Sequence, residues 1–248
     1  MFEIMQKNVE KVMINYSPNF YLKKRDKNKI KYLIYHYTGM KNDKSAIKKL
    51  TSANSNVSCH YYITASGNLI RMVPDLYIAW HAGKSHWRNH ESLNYNSIGI
   101  EISNPGHEHG YKNFNHNQVK SLIKISKFII KKYKIHKKNI LGHSDIAPLR
   151  KLDPGEKFPW KLLYKNKIGI WHNINSRKIK TFRGKISESN LIKFINNLKK
   201  IGYRIEYSKS NELKKLIKIF QMRFRPELID GKLDQECNMI AKSLVNLK

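Results

Sequence analysis

The sequence predicts an α/β fold in which helices flank a mixed central sheet, followed by a small domain of three helices. The first observation is the order of periodic segments, which is β-α-β-β-β-α-β and favours a mixed sheet covered by helices. The second is a change of pattern after the linker, where three short amphipathic segments follow one another. The predicted division is an N-terminal extension (1–30), a main domain (31–163), a linker (164–186) and a helical domain (187–248).

The strands of the main domain are predicted from alternating or β-branched and aromatic segments. Residues 31–38 and 96–103 have this character. Residues 58–64 and 68–73 flank Ala-Ser-Gly, which is a hairpin signal. The apolar run at 139–142 then leads into a loop punctuated by proline and glycine.

Two helices are predicted beside these strands. Residues 43–52 form the shorter one. The longer one covers 115–133, where Asn115 and Gln118 resemble a capping box and an apolar stripe opposes lysines. This stripe is typical of a core-facing helix. Residues 1–12 are compatible with a short helix, and we assign no chemistry to the N-terminal extension.

The chain is strongly basic, with Lys+Arg 48 against Asp+Glu 18 and a formal net charge of +30. Such a charge fits an anionic polymer: nucleic acid, an acidic membrane surface, or a cell-wall glycan that bears peptide carboxylates. The basic residues are spread along the chain, so compositional bias is an equally good explanation. No nucleic-acid-binding motif is present, and we predict no specific nucleic-acid partner.

Neither disulfide nor membrane chemistry is indicated. The two cysteines are far apart in the sequence and lack zinc-finger spacing. No run approaches the roughly 18 apolar residues of a membrane span, so no transmembrane segment is predicted. The N-terminus lacks the apolar region of an export signal, which implies the cytoplasm. The sequence does not define an oligomeric state.

The strongest candidate for chemistry is the stretch 141–160, where a strand end opens into a loop. His143 and Asp153 lie in this loop and offer two of the three protein ligands that a catalytic zinc site requires. His36 is the best candidate for the third, although an isolated histidine among aromatic residues is usually a core residue. The sequence therefore predicts one Zn²⁺ per chain, bound by these three side chains.

Other residues have chemistry that fits a substrate groove. Trp80, His81 and Trp87 in AWHAGKSHW could stack on sugar rings or line a peptide cleft; alternatively Trp80 is core and His81 bonds backbone. Tyr37 follows His36, and His60 lies in a predicted strand, where a structural role is about as probable as a groove role. We predict all five as substrate-binding residues.

Glu101 is the acidic residue whose setting is least like a solvated surface. It lies in a predicted strand and shares a face with Gly99, a residue that permits close approach of another group. A carboxylate in a central strand is unfavourable unless it is paired or functional. Lys151, by contrast, would ordinarily be read as a surface lysine.

Five runs, in this order, carry a family resemblance: LIYHYTG, SCHYYIT, AWHAG, NSIGIEISN and GHSDIAPLRKLDPG. They resemble the zinc-dependent N-acetylmuramoyl-L-alanine amidases of the type-2 amidase superfamily, which also holds the peptidoglycan recognition proteins. The resemblance covers about residues 30–163. Beyond it, FQMRFRP and DGKLDQE resemble a C-terminal peptidoglycan-binding domain, with Cys237 where such domains often have threonine.

The resemblance implies hydrolysis of the amide between N-acetylmuramic acid and L-alanine, in peptidoglycan or in muropeptides. It implies Glu101 as catalytic base and Lys151 as the partner of the developing oxyanion. The alternative is a non-catalytic peptidoglycan-binding protein, but such relatives usually lack a zinc ligand and all three are present here. A wall substrate favours the cell envelope (periplasm), against the cytoplasm that the missing signal implies.

Overall fold

The centre of the computed structural model, which describes residues 12–175, 183, 188–205 and 210–247, is a six-stranded sheet. Its order is β1-β5-β4-β9-β3-β10, in which β4 and β5 pair antiparallel and the other neighbours pair parallel. The predicted mixed sheet is therefore confirmed. The strands are β1 (Met13–Ile14), β2 (Phe20–Tyr21), β3 (Tyr32–Tyr37), β4 (Tyr61–Ile63), β5 (Leu69–Arg71), β6 (Ile78–Ala79), β7 (His86–Trp87), β8 (His90–Glu91), β9 (Ser97–Ile102) and β10 (Ile140–Gly142).

The two central strands, β3 and β9, pair over six residues each. Both are buried along nearly their whole length, as expected for parallel strands covered on both faces. His36 lies directly opposite Glu101 in this register, and directly opposed residues project from the same face. The pairing therefore brings a predicted ligand and the predicted base to one side of the sheet.

Helices cover the sheet as the sequence predicts. Asn115 and Gln118 form the expected reciprocal capping box at the start of the longest helix, whose Ser126 accepts a hydrogen bond of 2.8 Å from the Tyr35 hydroxyl on β3. None of the helices in the described ranges is both long and apolar enough to cross a membrane. The α-helices are α1 (Asp43–Thr51), α2 (His116–Tyr133), α3 (His143–Ile146), α4 (Trp160–Lys165), α5 (Glu188–Ile201), α6 (Ser210–Phe224) and α7 (Gln235–Val245).

The segment preceding β3 is part of the main fold, which the sequence analysis did not anticipate. Strand β1 pairs with β5 at the sheet edge, and β2 pairs with β6. Arg25 is buried and its guanidinium donates to the carbonyl oxygens of Asp75 and Asn94. The predicted helix at 1–12 falls almost entirely outside the described residues.

The C-terminal helices α5, α6 and α7 occur where the sequence predicts them, but they do not form a separate core. One apolar cluster extends from the sheet through Trp87, Trp160 and Tyr203 into the three helices. The start of the predicted linker also packs, because Ile168 and Ile170 are buried. The domain boundaries themselves stay a prediction, while the continuity of this core differs from the independent helical domain that we expected.

Candidate active site

Three side chains converge at one end of the central strands. His36 is the penultimate residue of β3, His143 begins α3, and Asp153 follows in the same loop. His36 Nδ1, His143 Nδ1 and Asp153 Oδ2 form a triangle whose three sides are each 3.0 Å. All three residues are buried. The structure thus brings together the three predicted metal ligands, although the loop and the strand are more than 100 residues apart in sequence.

The far side of the His143 ring defines its tautomer. His143 Nε2 lies 3.1 Å from the carbonyl oxygen of Ala82, which only accepts hydrogen bonds. This contact is shorter than the 3.4 Å between Nε2 and the Arg150 guanidinium and favours the tautomer in which Nε2 carries the proton. In the neutral ring Nδ1 is then unprotonated, and its lone pair points into the triangle.

His36 is oriented by a longer chain of hydrogen bonds. The Ser97 hydroxyl donates to the carbonyl of Leu93, so its oxygen accepts from His81 Nε2 at 3.1 Å. His81 Nδ1 is then an acceptor, and it lies 3.0 Å from His36 Nε2. His36 consequently donates through Nε2, and its Nδ1 also presents a lone pair to the triangle.

The donor set fits a zinc ion. Burial, together with the neighbouring His143, lowers the pKa of His36 to about 4 in spite of Asp153, so the ring is neutral at pH 7. Two imidazole nitrogens and one carboxylate oxygen match a catalytic zinc site, in which bonds of roughly 2.0–2.2 Å place ligand atoms a little over 3 Å apart. Three lone pairs facing one another are unfavourable unless a cation lies between them.

Glu101 occupies the same face of the sheet and lines the cavity. Its Oε2 atom is buried and has no hydrogen-bond partner among the described residues. Burial raises the pKa of this carboxyl well above its ordinary value, Asp153 raises it further, and Lys151 and Lys49 oppose the shift. An open, proton-attracting carboxylate beside the triangle has the properties of a general base.

The cavity has a volume of about 340 Å³ and is lined by His143, Asp153, Glu101 and Lys151. Of the predicted groove residues, Tyr37, Trp80 and His81 also line it. His81 is buried and serves the hydrogen-bond chain to His36, so both of its ring nitrogens are already engaged. The sequence left open whether His81 faces substrate or bonds within the protein, and its contacts favour the second role.

His60 and Trp87 are not brought to the cavity, so direct substrate contact is wrong for these two residues. His60 is fully buried, and its Nδ1 accepts from the Gly99 N–H at 3.0 Å. Trp87 is 1% exposed, and its ring packs edge-on against Tyr203 of the C-terminal segment at 4.9 Å. The first supports β9, and the second joins the main domain to the helices.

Several residues at the site were missed by the sequence analysis. The Arg150 guanidinium donates to the carbonyls of Ala82 and Lys84, which ties the AWHAG segment to the loop that carries His143. His107 also lines the cavity, where its ring nitrogens lie 2.9 Å from the Tyr37 hydroxyl and 3.0 Å from a Glu156 carboxylate oxygen. An arginine next to Lys151 in a chain this basic gave no separate signal.

Comparison with known proteins agrees with this geometry. The family described as N-acetylmuramoyl-L-alanine amidase matches residues 26–156. The N-acetylmuramoyl-L-alanine amidase AmiD of Escherichia coli K12 is 34% identical over 233 residues, which cover 88% of this chain and 83% of that protein. The family match includes His36, Glu101, His143 and Asp153.

Solved structures give the same result. The complex of E. coli AmiD with anhydro-N-acetylmuramic acid-L-Ala-D-gamma-Glu-L-Lys has a TM-score of 0.78 at 34% identity and covers 88% of this chain and 89% of that chain. AmpDH3 from Pseudomonas aeruginosa in complex with anhydromuramic pentapeptide has a TM-score of 0.76 at 30% identity, with 90% and 92% covered. The chain therefore belongs to the N-acetylmuramoyl-L-alanine amidase family.

Proposed function

We propose that this amidase uses one zinc ion, held by His36, His143 and Asp153, to cleave the bond between N-acetylmuramic acid and L-alanine. The observation that carries the proposal is the convergence of three lone pairs, two of them directed inwards by hydrogen bonds on the far sides of their rings. Such outer hydrogen bonds are the usual means of orienting histidine ligands.

The zinc ion, when bound, polarises the amide carbonyl and promotes ionisation of the attacking water. Glu101 accepts the proton of that water as the new C–O bond forms. It then delivers the proton to the amide nitrogen as the C–N bond breaks, which releases the peptide with a free amino terminus. The open Oε2 atom of Glu101 suits this transfer because no group in the described ranges of the chain forms a hydrogen bond with it.

Lys151 is proposed to offset the negative charge that develops on the carbonyl oxygen. It lines the cavity with Asp153 and Glu101, and its charge lowers the pKa of both His36 and Glu101, so its field reaches the reacting centre. A cation in a largely enclosed site stabilises developing negative charge more effectively than one in water.

The substrate is proposed to be a muropeptide or the peptidoglycan from which muropeptides derive. The two similar proteins described above were solved with anhydromuramic peptides, which supports substrates of this chemical class. A wall substrate favours action in the cell envelope. The helices α5–α7 are proposed to bind the wall because FQMRFRP resembles a peptidoglycan-binding domain. The residues of this motif at 220–225 are buried, so the proposed contact is made by the outward faces of the helices.

The test is to quantify zinc and cleavage in the same preparation. Purified protein is expected to hold about one zinc, and mass spectrometry of digested muropeptides should detect free peptide and intact sugar product. Asp153→Ala should lose most of the metal and the activity, because it removes one of three ligands. Glu156→Ala removes a nearby carboxylate outside the triangle and should retain zinc. Full cleavage by zinc-free protein would refute the proposal.

A further inference from the structure

Asp145 joins the loop that holds the metal-binding residues to the C-terminal helices. It is 1% exposed, and both of its carboxylate oxygens are engaged. Oδ2 accepts the Gly142 N–H at 2.7 Å and also pairs with the Arg223 guanidinium, while Oδ1 accepts the Tyr203 hydroxyl at 2.6 Å. Two of these partners thus belong to the C-terminal segment and one to the end of β10.

Arg223 makes a second bond to the same region. Its other terminal nitrogen donates to the carbonyl oxygen of Ile140 at 2.9 Å, and the guanidinium lies 4.2 Å from the Trp160 ring centre. Arginine can span a carboxylate and a carbonyl in this way because its donors form a planar fork. One side chain from α6 therefore holds β10 and α3 together.

These contacts lie on either side of His143. Ile140 and Gly142 precede it, Asp145 follows it, and Ser144 donates its N–H to the carbonyl of Asp153 at 2.8 Å. The backbone that presents two members of the triangle is thereby attached to α6 and to the segment after α5. In enzymes generally, a displacement of about 1 Å in the catalytic groups can lower turnover by roughly 10²-fold. The position of this backbone therefore matters for catalysis.

We propose that the C-terminal helices are part of the catalytic scaffold, with Arg223 and Tyr203 as positioning residues that hold the His143 turn for metal binding. This rests on the proposed zinc site and extends it to a part of the chain whose sequence resembles a binding module. Neither residue lines the cavity, so both act through Asp145 and not on the substrate.

The chain offers a matched control two residues further along α6. Arg225 is also fully buried, and it pairs with Asp234 and Glu236, which belong to the helices themselves. Replacing Arg225 therefore weakens the helical segment without removing a bond to the metal-binding loop. Any effect specific to Arg223 must come from its contacts with Asp145, Ile140 and Trp160.

The experiment compares Arg223→Lys with Arg225→Lys in the full-length zinc enzyme. Lysine keeps the charge but loses the fork, so Arg223→Lys cannot hold both partners. We expect zinc affinity, measured by competition with a chelator, to fall by about 10-fold or more, as for other residues that support metal ligands. Turnover of a soluble muropeptide should fall while KM changes little. Arg225→Lys should lower the melting temperature at least as much and leave zinc affinity unchanged.

Tyr203→Phe keeps the test valid if Arg223→Lys does not fold. It removes one hydrogen bond to Asp145 without exposing a charge, and it should weaken zinc binding in the same direction by a smaller factor. Wild-type zinc affinity in folded Arg223→Lys and in Tyr203→Phe would overturn the inference, as would equal losses in the Arg225→Lys control. These results differ from a failure of the proposed function, in which the wild-type protein itself would bind no zinc.

Discussion

Two acidic side chains, Asp75 in the turn before β6 and Glu101 on β9, have opposite surroundings. Asp75 is 2% exposed and accepts hydrogen bonds of 2.6 Å from the Tyr61 hydroxyl, the Tyr133 hydroxyl and the Lys132 ammonium. Burial alone would raise its pKa, but the charge and hydrogen bond of Lys132 and the two hydroxyls outweigh this and lower it.

Glu101 has an oxygen atom without a hydrogen-bond partner among the described residues, whereas both oxygen atoms of Asp75 accept hydrogen bonds. We call the first carboxylate open and the second saturated. The Oε2 atom of Glu101 is buried without a partner in the described part of the chain, and burial raises the pKa of this carboxyl well above the ordinary value. A buried polar group without partners weakens the fold, so its retention calls for another explanation. The comparison teaches that saturation indicates a structural carboxylate and that an open carboxylate beside a cavity indicates a functional one.

The largest expected effect is on catalysis by Glu101→Gln. Because the amide cannot accept the water proton, turnover should fall by at least the roughly 10²–10⁴-fold contribution of general base catalysis. Zinc content and muropeptide binding should remain near those of the wild type. Steady-state cleavage of a soluble muropeptide, together with zinc analysis, measures both.

Asp75→Asn is the matched variant for this measurement. It makes the same carboxylate-to-amide change at the saturated site, and the folded enzyme should turn over substrate normally. If Glu101→Gln retained near-normal turnover, or if Asp75→Asn lost turnover in the same proportion while folded, the functional distinction between the two carboxylates would be wrong.

The second expected effect is on stability, where Asp75→Asn should have the larger effect and Glu101→Gln the smaller one. Asp75→Asn leaves the Lys132 ammonium, whose side chain is 23% exposed, without its partner, so the free energy of unfolding should fall, by less than the about 3–5 kcal/mol typical of fully buried ion pairs. Glu101→Gln should not destabilise the zinc-free protein and should stabilise it at neutral pH. Urea unfolding of the two variants beside the wild type measures the difference.

The pH dependence of these stability changes follows from the two pKa shifts. The folded pKa of Asp75 is below its usual 3.8, so its stabilisation is present above that value and is lost as pH falls through the lower folded pKa. The folded pKa of Glu101 is above its usual 4.5, so its ionised form weakens the fold at higher pH and has no effect in acid. A Glu101→Gln gain that persisted below pH 4.5 would contradict this assignment.

The third expected effect separates two lysines. Lys132 bonds Asp75 directly, whereas Lys151 lines the cavity and acts on Glu101 through its field. Lys151→Ala should lower kcat by roughly 10²–10³-fold, the usual loss for one oxyanion partner, with KM little changed because the negative charge exists only in the transition state. Lys132→Ala should lower the melting temperature and leave kcat unchanged. An effect of Lys151→Ala confined to KM would instead make it a groove residue.

Local patterns in the sequence were sufficient for the long central strands and for the two metal-ligand candidates of the 141–160 loop, but not for the short strands β1 and β2. Alternation defined β3 and β9, and the loop punctuated by proline and glycine identified His143 and Asp153. The sequence also predicted that another group lies close to Gly99. The His81 ring does so, because a Cβ at position 99 would lie 2.4 Å from it. What approaches Gly99 is therefore a protein side chain and not the substrate.

The remaining errors concern contacts between distant segments. Nothing local in the sequence connects Arg25 to the segment before β6, or Arg223 to Asp145, because these bonds exist only after the chain has folded. Trp87 was assigned to a groove on its aromatic character alone, yet its ring is covered by a residue more than 100 positions away. Side-chain type predicts what a residue can do, and long-range packing decides whether it is exposed to do it.

The smallest expected effect is a shift in the pH profile caused by Lys49, which lies on α1 and lines the cavity. Its positive charge lowers the pKa of Glu101 without a direct bond, so Lys49→Ala should raise that pKa. A base must be ionised to act, and the acid limb of kcat/KM should therefore move to higher pH, with activity unchanged on the alkaline side.

Lys48→Ala is the matched control for Lys49→Ala, because Lys48 is an exposed neighbour on the same helix that does not line the cavity. It removes the same formal charge and should leave the acid limb in place. Raising the ionic strength from about 0.01 M to 1 M shortens the Debye length from roughly 30 Å to 3 Å and should shrink the Lys49→Ala shift, since the lysine is exposed. Equal shifts in both variants would show that net charge, and not the field of Lys49 at the open carboxylate, sets the profile.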